Sequence, residues 1–310
     1  MKKFVCRLIG FIIIFGIVFG GLGYMSFKES YRNFFSTITN SVKYNNEPTK
    51  EIKPYLDIAG NKGDTYSKLI IGDSVCHQMM NPFQKYNGTY AILGNNAAIT
   101  MVGQYLLAEK FVENHPGTTD VYLILRSFPG GGFSMTGWTY QYLVIPFVLD
   151  GRIGEVDKNT IEKLKEIYGD VYLEHTVIEK LDQSAPLKKI YLNSLEDIYC
   201  DDVAIGIQYL EKLELLCEER NITLHLLHAP VSDNIQEDIS TEKKKVFSYD
   251  CSESVRCLLQ KFYGSITYYP ATEFRDGIHF TKEKSSMENL RGYVYDLQDS
   301  YEELLDFNVE

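Results

Sequence analysis

From Ser67 onward, short apolar runs alternate with longer stretches in which apolar residues recur at helical spacing. The short runs predict strands, and the longer stretches predict the helices that connect them. This alternation is typical of a parallel sheet with helices on both faces. The predicted strands cover residues 68–71, 90–93, 121–125, 223–227 and 265–269, and the main predicted helices cover residues 97–114, 203–219, 252–262 and 282–305. We therefore expect a three-layer α/β/α domain over residues 67–310, with a central parallel sheet of five strands.

The N-terminus has a different pattern. Residues 8–27 contain no charged side chain, and a helix of roughly 20 apolar residues spans a bilayer. Lys2, Lys3 and Arg7 precede this stretch, and positive residues stay on the cytoplasmic side. Residues 1–27 are therefore predicted to form a cytoplasmic tip and a single-pass membrane anchor, with the C-terminal domain outside the cytoplasm. A cleaved signal peptide is the alternative, but the stretch is long for one and no A-x-A-like site follows it.

Two further segments do not fit the alternation. Residues 28–66 are polar and lack a sustained apolar period, which favours a stalk or linker. Residues 128–193 are too long for a simple crossover and are interpreted as an insertion with helices over 158–168 and 177–182. The insertion contains the aromatic residues Trp138, Tyr140 and Tyr142. We expect them either to stack on a sugar ring of a substrate or to pack against other residues of the insertion.

Composition narrows the classes of function. Hydrophobic residues make up 45% of the chain and charged residues 24%, as in an ordinary globular protein. The net charge is -11, so we expect no basic face that would neutralise a phosphate backbone, which argues against nucleic-acid binding. Of the six cysteines, Cys251 and Cys257 could pair in an oxidising compartment, but no spacing matches a metal site. We assign no metal and no cofactor.

Two short motifs carry candidate chemistry. Gly72, Asp73 and Ser74 follow the first predicted strand and precede a plausible helix, which places the serine at the carboxyl edge of the sheet. A serine hydroxyl needs a base before it is nucleophilic. Asp276 and His279 supply an acid and a base in a loop after the last predicted strand, in the chain order Ser, Asp, His.

The G-D-S of residues 72–74 and the D-x-x-H of residues 276–279 resemble the first and last blocks of the SGNH, or GDSL-like, hydrolase family. The resemblance extends from residue 67 to about residue 290. It implies a flavodoxin-like α/β/α arrangement, the SGNH hydrolase fold. It also implies that Ser74 is the nucleophile, that His279 is the general base, and that Asp276 orients the imidazole.

The middle blocks of that family match less closely. The second block supplies a glycine after the second strand, where this chain has Gly94, Asn95 and Asn96. The third block is normally G-x-N-D, but this chain reads LILRSFPGGG and lacks its asparagine. We therefore expect Gly94 and one of the two asparagines to provide oxyanion donors. Arg126 and Ser127 occupy the end of the third strand and are expected to contact an anionic or carbohydrate substrate.

Other polar residues near these motifs have simpler interpretations. Asp73 is expected to hold the nucleophile turn through backbone hydrogen bonds, and Cys76 to pack inward. His77 follows Ser74 closely but should point away from the substrate side. His225 is expected in the core, while His228 and Ser232 are expected to line the pocket.

The resemblance also implies a class of substrate. SGNH-like proteins with an N-terminal anchor and an outward-facing domain often add or remove acyl groups, typically acetyl, on cell-envelope polysaccharides. This chain is accordingly expected to be a serine esterase or O-acyltransferase that acts on envelope or exopolysaccharide glycans through an acyl-enzyme. A transferase would need an integral-membrane acyltransferase partner to deliver the acyl group. The alternatives are a non-catalytic carbohydrate-binding or assembly protein and, ranked last, a lipid hydrolase.

Overall fold

The structure is a computed structural model that describes residues 47–86, 88–96, 100–128 and 203–300, together with residues 7, 10, 11 and 14–16. Most of the predicted anchor and of the predicted insertion, including its aromatic residues, lies outside these ranges. The six described N-terminal residues are helical. Within the ranges described, no helix is both long and apolar enough to cross a membrane.

Among the described residues, the main sheet is parallel and has four strands in the order β2-β1-β3-β4. β1 pairs with both β2 and β3, with Leu69 opposite Ala91 on one side and Val121 on the other. This order matches the start of flavodoxin-like sheets, in which ligands bind at the carboxyl ends of the strands. The strands are β1 (Lys68–Gly72), β2 (Tyr90–Ile92), β3 (Asp120–Leu125) and β4 (Thr223–His228).

Helices connect the strands and cover the sheet. The helices predicted over 203–219 and 252–262 are confirmed as α4 and α6, and the side chain of Ser252 caps α6 by accepting the N–H of Val255. The helices with described bounds are α1 (Glu47–Gly60), α2 (Ser74–Met80), α3 (Met101–Asn114), α4 (Val203–Glu219), α5 (Gln236–Val246), α6 (Glu253–Gly264) and α7 (Met287–Ser300).

The strands bury both of their faces. Leu69 and Ile71 of β1 lie in one hydrophobic cluster with residues of α1, α3, α4, α5 and α6. Ile70, which points to the opposite face, lies in a second cluster with residues of α2 and α7. Because successive strand residues alternate between faces, the two clusters are the two sides of one sheet. The predicted three-layer α/β arrangement is therefore confirmed, with four strands in the sheet.

The fifth predicted strand does not join this sheet. Tyr268–Tyr269 (β6) pairs in parallel with Val231–Ser232 (β5), in a separate two-stranded sheet. Pro230 lies between β4 and β5, and proline has no N–H to continue a ladder of hydrogen bonds. The prediction that residues 265–269 form a strand of the main sheet is therefore wrong.

The prediction of a stalk is wrong for residues 47–60, which form α1. Leu56 and Ala59 are 3% and 0% exposed and belong to the core cluster that α3 also lines. Tyr55 and Ile58 pack against the same cluster. The apolar face of α1 is short, and Pro54 lies beside it, so the sequence shows no sustained period there. The folded domain therefore includes residues before Ser67.

Replacing Leu56 with alanine tests whether α1 is part of the core. We expect Leu56→Ala to lower the free energy of unfolding by about 2–4 kcal/mol, because it leaves a cavity in a packed cluster. Chemical denaturation of the full chain measures the change. Leu215→Ala is the matched control, since Leu215 is 51% exposed, and it should change the free energy by less than about 0.5 kcal/mol. Equal values for the two variants would restore the interpretation of residues 47–60 as a stalk.

Candidate active site

Asp73 organises the turn that carries the candidate nucleophile. Its Oδ1 accepts the backbone N–H groups of Val75 at 2.9 Å and Cys76 at 3.3 Å, which caps α2. Its Oδ2 accepts the backbone N–H of Arg126 at 3.0 Å. The carboxylate therefore fixes the start of α2 and ties the end of β1 to the end of β3. The predicted structural role of Asp73 is confirmed.

Two glycines let α2 approach the sheet closely. A Cβ at Gly72 would lie 2.0 Å from the carbonyl oxygen of Ile124 and 2.5 Å from the Cβ of Cys76. A Cβ at Gly94 would lie 2.8 Å from the backbone nitrogen of His77 and 2.8 Å from the Sγ of Cys76. Any side chain at either position would push the ends of the strands away from α2.

The loop from Phe274 to Phe280 carries the candidate base. The two phenylalanines form an antiparallel bridge, and Gly277 turns the chain with a φ of 80°, a conformation that favours glycine. Asp276 Oδ1 accepts the backbone N–H of His279 at 2.7 Å and that of Ile278 at 3.1 Å. The carboxylate therefore fixes the backbone of its own loop as well as contacting the histidine ring.

The structure brings Ser74, His279 and Asp276 together as the sequence motifs predict. Ser74 Oγ lies 2.7 Å from His279 Nε2, although the residues are 205 positions apart in the chain. His279 Nδ1 lies 2.8 Å from Asp276 Oδ2. Both distances are in the range of good hydrogen bonds, so hydroxyl, imidazole and carboxylate form one continuous relay.

The charge state of Asp276 suits this relay. Burial raises the pKa of Asp276, but hydrogen bonds from the backbone N–H and the ring of His279 outweigh it, and the pKa lies below its usual value. The carboxylate is therefore ionised at neutral pH and accepts a hydrogen bond from the Nδ1–H group of His279. In that tautomer of the neutral imidazole, Nε2 carries a lone pair and accepts the hydroxyl proton of Ser74.

Backbone N–H groups supply the candidate oxyanion donors. Within the part of the chain that the structure describes, the N–H groups of Ser74 and Gly94 have no acceptor. Asn95 is 0% exposed; its amide donates to the carbonyl of Leu93 at 3.0 Å, and its backbone N–H donates to the carbonyl of Gly72 at 3.2 Å. The expectation that Asn95 provides a donor is therefore wrong. Asn96 is half-buried next to it and remains a candidate.

A cavity of about 400 Å³ reaches the loop of the candidate base at Ile278, although Ser74, Asp276 and His279 are not among its described lining residues. Ile278, which is adjacent to His279, forms part of its wall, and Arg126 and Ser127 form another part. Their contact with a substrate stays a prediction. The remaining described lining comes from α5 and the turn before it: Ile235, Asp238, Ile239, Thr241, Glu242 and Lys245. Sequence reasoning missed this wall because α5 buries only Ile239 and Val246, too few apolar positions for a periodic signal.

Glu242 connects the cavity wall to the end of β3. Its Oε1 accepts the backbone N–H of Phe128 at 2.8 Å and the hydroxyl of Tyr263 at 2.6 Å. Burial raises the pKa of Glu242, against the effect of these hydrogen bonds. The carboxylate therefore anchors the chain at Phe128, directly after the two cavity residues Arg126 and Ser127.

The alternative base and nucleophile are held away from the site. His77 Nδ1 lies 3.1 Å from the hydroxyl of Tyr55 on α1 and 3.1 Å from the carbonyl oxygen of Gly94. It thus serves to join α1 and the end of β2 to α2. Cys76 is fully buried, and burial raises the pKa of its thiol well above the usual value, so the thiolate is strongly disfavoured.

Three more polar residues lie in the interior. His225 Nε2 donates to Asp120 Oδ1 at 2.9 Å, and the ring stacks on Tyr122, in agreement with a core role. His228 and Ser232 are 1% and 0% exposed and are not among the described residues that line the cavity, so their place in a substrate pocket stays a prediction. Burial lowers the pKa of His228 to about 4, which keeps its ring neutral.

Cys251 and Cys257, which could have paired in an oxidising compartment, are not bonded to each other.

The sequence and the structure have little similarity to known proteins. No protein family matches the chain, and no curated protein is similar to it. A solved structure described as a candidate platelet activating factor from Streptococcus pneumonia is similar over 88% of this chain and 97% of its own, with 12% identity and a TM-score of 0.37. A likeness this distant carries no argument about function.

Asp73→Asn tests the structural role of the carboxylate. The asparagine amide has only one oxygen to replace the two carboxylate oxygens. In either orientation its NH2 group therefore faces a backbone N–H that Asp73 accepts, on α2 or at Arg126. We expect the free energy of unfolding to fall by about 1–3 kcal/mol, the effect of a buried donor without an acceptor. Asp233→Asn is the control, because Asp233 is exposed and its Oδ1 accepts the N–H of Ala271 at the surface. Thermal and chemical denaturation provide the measurement, and unchanged stability of Asp73→Asn would contradict this role.

Proposed function

We propose that the chain is a serine-dependent ester hydrolase or acyl transferase of the SGNH type, which works through an acyl-enzyme on Ser74. The observation that carries the proposal is the relay of 2.7 Å and 2.8 Å from Ser74 through His279 to Asp276. A His–Asp pair held for stability alone would not need a serine hydroxyl at the end of the relay, at the carboxyl edge of the sheet.

The relay supports a two-step reaction. Ser74 Oγ attacks the ester carbonyl while His279 Nε2 takes the hydroxyl proton, and the carbonyl π electrons move onto the oxygen. When the tetrahedral intermediate collapses, the C–O bond to the leaving group breaks and His279 returns the proton to the leaving alcohol. Water or a sugar hydroxyl then attacks the acyl-enzyme by the same proton transfers. Asp276 stays ionised and stabilises the imidazolium in both steps.

The oxyanion site differs from the family pattern. The N–H groups of Ser74 and Gly94 lie at the ends of adjacent strands and are the donors that we assign to it. The asparagine of the third block is absent from the sequence, and the amide of Asn95 points into the protein. Removing one oxyanion donor costs about 3 kcal/mol in known enzymes, so a reduced rate with the relay intact is expected.

The cavity favours a polar ester with a small acyl group. Its wall mixes two cations, two carboxylates and two hydroxyls with the isoleucines Ile235, Ile239 and Ile278. Mixed polar walls of this kind suit sugar hydroxyls better than a long acyl chain. We therefore propose acylated envelope or exopolysaccharide glycans as substrates.

The proposed location follows from the N-terminal sequence. The uncharged residues 8–27 would anchor the chain in the membrane, with the domain outside the cytoplasm. Water as the acceptor makes the protein an esterase. A sugar as the acceptor makes it a transferase, which would receive its acyl group through an integral-membrane acyltransferase.

A second function is a non-catalytic carbohydrate-binding or assembly role. The missing third-block asparagine and the inward amide of Asn95 favour it, because both weaken the oxyanion site. The two functions differ in one property. A binding protein would retain glycan affinity with no turnover, and its affinity would not depend on His279.

Hydrolysis of p-nitrophenyl acetate by the full chain tests the proposal. We expect Ser74→Ala and His279→Ala each to lower kcat/KM by at least about 1,000-fold, because each removes one member of a single unit. Ser265→Ala, at the end of α6, is the matched serine control and should retain the activity of the unaltered chain. Equal turnover in all four proteins would show that the relay is not catalytic and would favour the binding role.

A further inference from the structure

The side chain of Gln78 connects the helix of the candidate nucleophile to the loop of the candidate base. Gln78 lies four residues after Ser74 on α2, so both residues are on the same side of the helix. Its Oε1 accepts the backbone N–H of Phe280 at 3.0 Å, and its Nε2 donates to the carbonyl oxygen of Phe280 at 3.0 Å. Phe280 directly follows His279. The amide thus makes a pair of hydrogen bonds across 202 positions of the chain.

Both N–H groups of the amide are used. The second one donates to Ser285 Oγ at 2.7 Å, and the hydroxyl of Ser285 donates to the carbonyl of Thr281 at 2.8 Å. The orientation of the Gln78 amide is therefore fixed, because its oxygen accepts one hydrogen bond and its single nitrogen donates two. A side chain held in this way restrains the backbone that it contacts.

The peptide group between His279 and Phe280 is held at both ends. Its N–H donates to Gln78, and its carbonyl oxygen accepts the N–H of Arg275 at 2.9 Å. The preceding N–H, that of His279, donates to Asp276 Oδ1 at 2.7 Å. The backbone on either side of the His279 Cα is thus fixed, and this sets the direction in which the imidazole leaves the chain.

Packing of the Phe280 ring does not replace this restraint. The ring is 1% exposed and stacks on Tyr293 with centroids 4.1 Å apart, which anchors the side chain in the second core cluster. An apolar ring has no hydrogen bond that selects the plane of the adjacent peptide. Gln78 is the residue from α2 that selects this plane, and α2 also carries Ser74.

We infer that Gln78 is a positioning residue, which sets the distance between His279 Nε2 and Ser74 Oγ by fixing the backbone at Phe280 to the nucleophile helix. The inference rests on the proposed function for its effect on rate. Its structural part, the placement of the His279 ring, holds whatever the protein acts on.

Gln78→Met tests the inference, since methionine has a similar length but makes none of these hydrogen bonds. We expect kcat for p-nitrophenyl acetate to fall about 10- to 100-fold, because small displacements of catalytic groups have effects of this size. KM should change by less than about twofold, as for an interaction that acts mainly in the transition state.

Gln84→Met is a matched control. The amide of Gln84 makes the same type of contact with β2: it donates to the carbonyl of Tyr90 at 3.1 Å and accepts the N–H of Ile92 at 2.5 Å. The Gln84→Met variant therefore loses the same kinds of backbone hydrogen bond as Gln78→Met, but at β2 and not beside His279. Equal falls of kcat in Gln78→Met and Gln84→Met would reduce the role of Gln78 to general stability and overturn the inference.

A spectroscopic measurement separates this inference from the proposed function. In the full chain labelled with ¹⁵N-histidine, the Nδ1 proton of His279 that bonds to Asp276 should give a downfield proton resonance that His279→Ala removes. Loss or a shift of this resonance in Gln78→Met, with its retention in Gln84→Met, supports the inference even if the unaltered chain shows no turnover. An unchanged resonance in both variants overturns it, whatever the kinetics.

Gln78→Glu provides a second variant if Gln78→Met does not fold. A glutamate keeps the acceptor for the N–H of Phe280 but, when ionised, loses the donors to Phe280 and Ser285. Protonation of the carboxyl restores one donor. We therefore expect the ratio of kcat in Gln78→Glu to kcat in the unaltered chain to rise as the pH falls toward the pKa of glutamate. A constant ratio across this range contradicts the positioning role.

Discussion

The close approach of α2 to the ends of three strands is the constraint on which the site depends. It requires hydrogen in place of a side chain at Gly72 and Gly94, because a Cβ at either would overlap atoms of α2 or of β3. It also requires Asp73, which caps α2 with one carboxylate oxygen and holds β3 with the other. With these residues in place, Ser74 lies at the sheet edge and the N–H groups of Ser74 and Gly94 have no acceptor among the described residues.

The other half of the site comes from a chain segment about 200 residues away, so it needs its own supports. Asp276 binds the backbone of its loop and the ring of His279 with different oxygens. Gln78 binds the residue after His279 from the side of α2. The same short helix thus presents the hydroxyl and restrains the loop of the imidazole, which couples the placement of the two groups.

The sequence predicted the relay because each part depends on a local pattern. G-D-S follows a buried strand, which places Ser74 at the carboxyl edge of the main sheet, and D-x-x-H follows β6 in the separate two-stranded sheet. The errors concern features set by tertiary contacts. α1 has too short an apolar face to be periodic, Pro230 separates β5 from β4, and the orientation of the Asn95 amide depends on which carbonyl lies within its reach. α5 is polar along most of its length, so its place in the cavity wall had no sequence signal.

Covalent labelling tests the central claim, that Ser74 is a nucleophile activated by His279, without any assumption about the natural substrate. The full chain would be treated with diisopropyl fluorophosphate and its peptides examined by mass spectrometry. The structure predicts a diisopropylphosphoryl group on Ser74, absent when the folded His279→Ala variant is treated in the same way. An unlabelled Ser74 in the folded chain, or equal labelling with and without His279, would contradict the account.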